Sequence, residues 1–115
     1  MLTMGLFTTC YHILTMKNIT YLPVHTLKDG HTDNVISLAF STSGIFLASG
    51  GEDAQVIVWD TDQGISVARV ALQSPVLSLL WDVHRDSALF CGCQDGTLLL
   101  FPDIQVIRFL FLSAC

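Results

Sequence analysis

Residues 49–60 read SGGEDAQVIVWD. Turn-forming residues, two glycines and two acids, stand ahead of the apolar run Val56-Ile57-Val58-Trp59, which closes on Asp60. Four residues rich in β-branched side chains and bounded by turn chemistry are read as a strand rather than a helix. The run is apolar on both faces, which a sheet with one wet face would not tolerate. The reading is therefore an inner strand, sandwiched between neighbouring sheets.

Outward from this run the chain repeats itself. Residues 33–40 (DNVISLAF) find an echo in 74–81 (SPVLSLLW), 41 positions on, and 50–59 (GGEDAQVIVW) in 92–101 (GCQDGTLLLF), 42 positions on. Within the first period the strand signals fall at 34–40, 45–49, 55–59 and 65–71, with Ser41-Thr42-Ser43-Gly44 and Asp60-Thr61-Asp62-Gln63-Gly64 as breakers. The second period repeats them at 75–81, 87–92, 97–101 and 104–111. Four short strands per period of that length are the mark of a propeller blade. Residues 19–27 also read as a strand, with Pro23 suggesting an edge.

Composition narrows the function classes. With 51% hydrophobic and 13% charged residues the chain has ample material for a core. A net charge of −5 and only five Lys and Arg, all scattered, argue against a nucleic-acid module, which needs clustered cations. The apolar stretch Leu2 to Leu14 is interrupted by polar residues and has no basic residue before it, so it makes a poor signal peptide, and it is too short to span a bilayer. The expectation is a cytoplasmic or nuclear protein with no membrane contact, starting at Met1 or Met16. Cysteines 10, 91, 93 and 115 are then expected to be reduced thiols. Cys91-Gly92-Cys93 with nearby His84 lacks a fourth ligand, and this reading sets the two thiols on opposite strand faces, so no metal is expected.

Gly30-His31, then Ser49-Gly50, Asp53 and Trp59-Asp60, resembles the WD repeat. The resemblance covers 30–60 well and 71–103 weakly. It implies that His31, Ser49, Asp53 and Trp59 form one hydrogen-bonded network inside the blade. Such a network is physically reasonable, since a buried imidazole, hydroxyl, carboxylate and indole N–H each need a partner. In the second repeat Leu72 stands for His31, Cys91 for Ser49, Phe101 for Trp59 and Pro102 for Asp60; only Asp95 is kept. Ser, His and Asp also evoke a hydrolase triad, but no Gly-x-Ser-x-Gly elbow surrounds Ser49, so no catalytic residue is assigned. No phosphate-cradling loop or cofactor site is expected. Trp81 is read as a core aromatic.

The expected fold is all-β: two four-stranded antiparallel blades plus an N-terminal strand, an incomplete β-propeller. The expected divisions are an N-terminal segment (1–17), an outer strand (18–29), a first repeat (30–70), a degenerate second repeat (71–103) and an apolar tail (104–115). Family likeness implies a non-catalytic scaffold that contacts other proteins through loops at one rim, with Asp33, Asn34, Glu52 and Gln94 as candidate contacts. A closed ring needs at least about four blades. Two blades are thus expected to be part of a longer propeller, to assemble with copies of the same chain through uncovered blade faces or with another protein, or to form an irregular sandwich. The competing functional reading is a propeller remnant with no independent binding role.

Overall fold

The structure is a computed structural model and describes residues 20–104. Seven strands form two antiparallel sheets: β1 (Val35–Phe40), β2 (Phe46–Gly51), β3 (Gln55–Asp60) and β4 (Ile65–Ala71) in the first, β5 (Val76–Trp81), β6 (Leu89–Cys93) and β7 (Leu98–Phe101) in the second. Each sheet is a meander in chain order, as short turns between antiparallel neighbours dictate. Every strand expected between 34 and 101 is present, with no end displaced by more than two residues. The second sheet has three strands among the described residues; apart from Ile104, the expected fourth (104–111) lies outside them, as do the 1–17 segment, Cys10 and Cys115.

β3 is the inner strand that its sequence requires. Val56, Ile57, Val58 and Trp59 are all buried. Val56 and Val58 point with Ala48 into the core shared by the two sheets, while Ile57 and Trp59 turn the other way and pack with Leu47 and Leu27. Alternation along the strand thus serves two apolar environments at once.

The sequence period is reproduced in the ladders. β1 carries a bulge between Val35 and Ser37 opposite Gly51 and Gly50, and β5 carries its counterpart between Val76 and Ser78 opposite Cys93 and Gly92. The β2–β3 and β6–β7 turns match too: the Ala54 N–H donates to the Gly51 carbonyl at 3.2 Å and the Gly96 N–H to the Cys93 carbonyl at 3.1 Å. Both pivots have positive φ, 61° at Ala54 and 89° at Gly96. Glycine occupies this conformation without strain, whereas the Cβ of Ala54 adds some.

The sheets stack through small residues on the first and larger ones on the second. A Cβ on Gly50 would sit 2.4 Å from Val76 Cγ1, so the absence of a side chain there is what admits Val76. Trp81 is buried, stacks on Phe46 with ring centroids 6.1 Å apart, and donates its indole N–H to the Ala39 carbonyl at 2.8 Å. At the far end Asp86 ties the second sheet to the β1–β2 turn: it accepts the Ser43 N–H at 3.0 Å and also bonds the Ser43 hydroxyl.

Two expectations are corrected. Residues 20–28 adopt no strand, although 18–29 was expected to supply one. A strand needs a ladder partner, and this stretch runs instead as a strap across the first sheet. His25 donates from Nε2 to the Asp62 carbonyl at 3.0 Å, Leu27 packs on Ile57 and Trp59, and Arg69 donates to the Asp29 carbonyl at 2.9 Å. Nor do Cys91 and Cys93 face opposite ways. Residues two apart on a strand share a face, and both thiols are buried in the core between the sheets. Burial, and then neighbouring Cys93, push the Cys91 thiol up to about 12, so it is a protonated, inert packing group. Among the described residues no three His, Cys, Asp or Glu side chains gather as metal ligands would.

Because Gly50 and Val76 leave no room, Gly50→Ala is expected to lower stability by about 1–3 kcal/mol through overpacking. Chemical denaturation read by circular dichroism measures it, and an unchanged midpoint would refute the close fit.

Candidate functional site

The strap ends at the feature that organises the first sheet. A Cβ on Gly30 would fall 2.7 Å from the Trp59 ring, so only glycine lets the chain pass this close and deliver His31 beneath it. The structure brings His31, Ser49, Asp53 and Trp59 together. His31 Nδ1 lies 3.0 Å from both oxygens of Asp53, and Nε2 lies 2.7 Å from Ser49 Oγ. Trp59 donates its indole N–H to the same Oγ at 2.9 Å. An ionised carboxylate only accepts, so Nδ1 carries a proton; in the neutral ring Nε2 then accepts from the Ser49 hydroxyl, which in turn accepts from Trp59. Every member is thereby satisfied, and no buried side-chain polar atom is left unpaired among the described residues.

Asp53 is the hub. Burial alone would raise its pKa, but the His31 hydrogen bond and the Thr32 and Gln55 N–H groups, at 3.0 and 3.2 Å, outweigh it and hold the carboxyl below the ordinary aspartate value. These contacts tie three chain segments to one side chain: the strap, the β2–β3 turn and, through His31 and Ser49, the strand β2.

The order Asp53–His31–Ser49 is that of a hydrolase relay, but the environment differs. Ser49 is 3% exposed, and its oxygen already accepts the Trp59 N–H. A cleft of about 220 Å³, bordered by Leu27, Val35 and Leu38, lies over this group.

The second sheet keeps the positions and replaces the chemistry. Asp95 still accepts the N–H two residues on, from Thr97 at 3.0 Å, as Asp53 does from Gln55. With Leu72, Cys91 and Phe101 at the other positions, apolar packing takes the place of the polar network. Ser74 accepts the Asp95 N–H at 3.1 Å and secures the turn locally.

Of the four rim candidates, three come together. The Asn34 amide donates to Glu52 at 2.9 Å, the Asn34 N–H donates to Asp33 at 2.8 Å, and the Glu52 N–H donates to the Asn34 carbonyl at 2.9 Å. All three are exposed. Gln94 occupies the equivalent turn of the second sheet, its N–H donating to the Pro75 carbonyl at 2.9 Å. Gly30 was read from sequence only as part of the Gly30-His31 motif, without its close approach to Trp59, and His25 and the Ser43–Asp86 link were not singled out.

Residues 21–60 match the family model described as WD domain, G-beta repeat. The chain carries a WD repeat. Ribosome biogenesis protein ERB1 of Ajellomyces capsulatus (strain NAm1 / WU24) is 34% identical over 82 residues, which cover 69% of this chain and 10% of that protein. WD repeat-containing protein 26 homolog of Arabidopsis thaliana is 35% identical over 73 residues, 60% of this chain and 12% of that protein. The chain thus spans about a tenth of the length of these curated WD-repeat relatives. Among solved structures, the β-propeller domain of Cps50 (Swd1) from Myceliophteria thermophila matches with a TM-score of 0.59 and 27% identity over 70% of this chain and 25% of that one. The two sheets are accordingly blades of an incomplete propeller, with the WD signature in the first.

Acid should act on the first blade through Asp53. Its folded pKa is lowered, so its contribution to stability is fully present above the unfolded value of about 3.9 and fades as pH falls through the folded value. Asp53→Asn should lower stability at neutral pH and flatten the loss below about pH 4. Melting curves at stepped pH check this; parallel profiles for both proteins would refute it.

Proposed function

We propose that this chain is a WD-repeat protein-interaction module without catalytic activity, acting through the rim on which Asp33, Asn34 and Glu52 are clustered. The observation that carries the reading is the joint placement of these exposed groups on turns anchored by the His31–Asp53 contact. Two carboxylates and an amide in fixed array suit a partner surface that offers hydrogen-bond donors and positive charge. Gln94 extends the same rim onto the second blade. Scaffolding is the general role of the WD-repeat family, and relatives named for ribosome biogenesis support a cytoplasmic or nuclear setting. The network of His31, Ser49, Asp53 and Trp59 is proposed as a structural lock, and no metal, cofactor, nucleic acid or membrane enters this reading. The uncovered blade faces are a second surface for protein contact, self-association included.

A specific observation favours one competing reading. Large apolar side chains stand exposed on both outer faces, as in a propeller piece with no binding role of its own. Size-exclusion chromatography with a thermal melt separates the two: a soluble species that melts cooperatively is expected of a module, and aggregates alone would leave only the remnant.

His31→Ala removes a partner from both Asp53 and Ser49 and should cost about 1–3 kcal/mol. An unchanged melting temperature would overturn the lock, and loss of a hydrolytic activity without loss of stability would overturn its non-catalytic role. Charge reversal by Glu52→Lys with Asp33→Lys is expected to leave the melt unaltered and abolish capture of partners that wild type retains in a pull-down; identical recovery by both proteins would refute the rim.

A further inference from the structure

The core between the blades ends in a pocket at the place where the second blade departs from the first. Leu72 and Gln73 of the β4–β5 connection form one wall, and Cys93, Asp95, Thr97 and Leu99, from β6, β7 and their turn, form the other. Its volume is about 300 Å³. Leu72, Cys93 and Leu99 belong to the core that the two blades share, so the pocket lies at the end of that core and not on an outer blade face. The two walls are tied together: the Asp95 N–H donates to Ser74 Oγ at 3.1 Å and the Gln94 N–H to the Pro75 carbonyl at 2.9 Å.

Polarity is graded with depth. Cys93 is buried and Leu72 and Leu99 are half-buried, whereas Gln73, Asp95 and Thr97 are exposed. Among the described residues that line the pocket, Asp95 is the only charged one. Its counterpart Asp53 is bonded by the His31 ring, but Leu72, in the place of His31, has no donor to offer. The Thr97 hydroxyl and N–H hold the Asp95 carboxyl below the ordinary aspartate value, so it is ionised at neutral pH. A carboxylate has about four acceptor sites. The turn thus presents an anion with acceptor capacity at the mouth of an apolar pocket.

A lone Lys or Arg side chain suits this gradient badly, since its charged head would enter first and lose water against Cys93 and Leu99. The reverse arrangement suits it, with an apolar side chain inside and a cation outside. We propose that the pocket takes an apolar side chain of a partner protein, and that a Lys or Arg two residues along the partner chain pairs with Asp95. Alternate residues of an extended segment share a side, so one stretch of partner backbone crossing the mouth delivers both groups. The inference rests on reading the chain as a protein-interaction module and adds the chemistry of the partner segment; it uses none of Asp33, Asn34 or Glu52.

The blocked tripeptides N-acetyl-Arg-Gly-Leu-amide and N-acetyl-Leu-Gly-Arg-amide are titrated into the isotope-labelled full chain and followed by amide NMR shifts. At least one is expected to give a saturable shift centred on Gln73, Asp95 and Thr97. With Glu in place of Arg, binding should weaken about threefold or more, because an exposed attraction becomes a repulsion. With Ser in place of Leu it should be lost. Asp95→Asn, which keeps a carbonyl to accept the Thr97 N–H, should erase the preference for Arg over Glu and leave the need for Leu. No saturable shift with either peptide, equal binding of the Glu or Ser peptides, or a preference that survives Asp95→Asn would each overturn the proposal. Glu52→Lys with Asp33→Lys should leave the preference for Arg intact, and its loss in that variant would assign it to the rim and overturn the pocket. The titration involves no captured partner, so the pocket and the rim fail separately.

Discussion

A strand that is apolar on both faces can persist only between two covers, and most of this structure follows from that constraint on β3. One cover is the second sheet, which approaches closely because Gly50 has no side chain in the path of Val76. The other is the strap, whose Leu27 closes over Ile57 and Trp59. The two covers differ in strength of attachment. The sheet is held by a continuous apolar core that extends to Ile104, whereas the strap has no ladder to hold it. Backbone pairing cannot secure it, so side-chain hydrogen bonds must, and His25, Arg69 and the His31–Asp53 contact supply them.

That difference explains why one blade keeps a polar network and the other does without. In the first blade the group to be fixed is an irregular segment crossing a sheet face, and directional bonds specify its position. In the second, Leu72 follows directly on β4, whose ladder to β3 already positions it, and its N–H donates to the Ala54 carbonyl at 2.7 Å. An apolar side chain suffices once the backbone is placed. Leaving one member of a buried polar set unpaired costs about 1–3 kcal/mol, so wholesale replacement by apolar residues is less damaging than losing a single partner. Asp95 survives because its role there is local, capping the turn at Thr97.

Strand positions were legible from local and periodic signals, turn residues around β-branched runs and a pattern repeated at nearly constant spacing, whereas the four members of the network were legible through the resemblance to the WD repeat, since the second period keeps only Asp95. The strap was not. Tyr21, Val24 and the threonines of 20–28 have strand-forming side chains, but whether they pair is decided by neighbours that propensity does not encode. The cysteine faces were misread from an error of periodicity rather than a missing signal, since a two-residue spacing on a strand fixes one face. Links such as Ser43–Asp86 escape sequence reading altogether: they join residues 43 positions apart through loops whose approach is set by sheet stacking.

The position of the network ties the blade's stability to the shape of its rim. Asp53 accepts the Thr32 N–H and orients His31, and Thr32 leads directly into Asp33 and Asn34. On the other side the Glu52 N–H is held by the Asn34 carbonyl, one residue before Asp53 itself. The candidate contact groups are therefore fixed by the same carboxylate that fixes the strap, with no intervening flexible segment. Side chains preorganised in this way lose little freedom on meeting a partner, which favours binding even where the contact surface is small and exposed. Loosening the network would thus disturb the rim as well as the blade, because the direct bonds among Asp33, Asn34 and Glu52 join the two turns that Asp53 anchors.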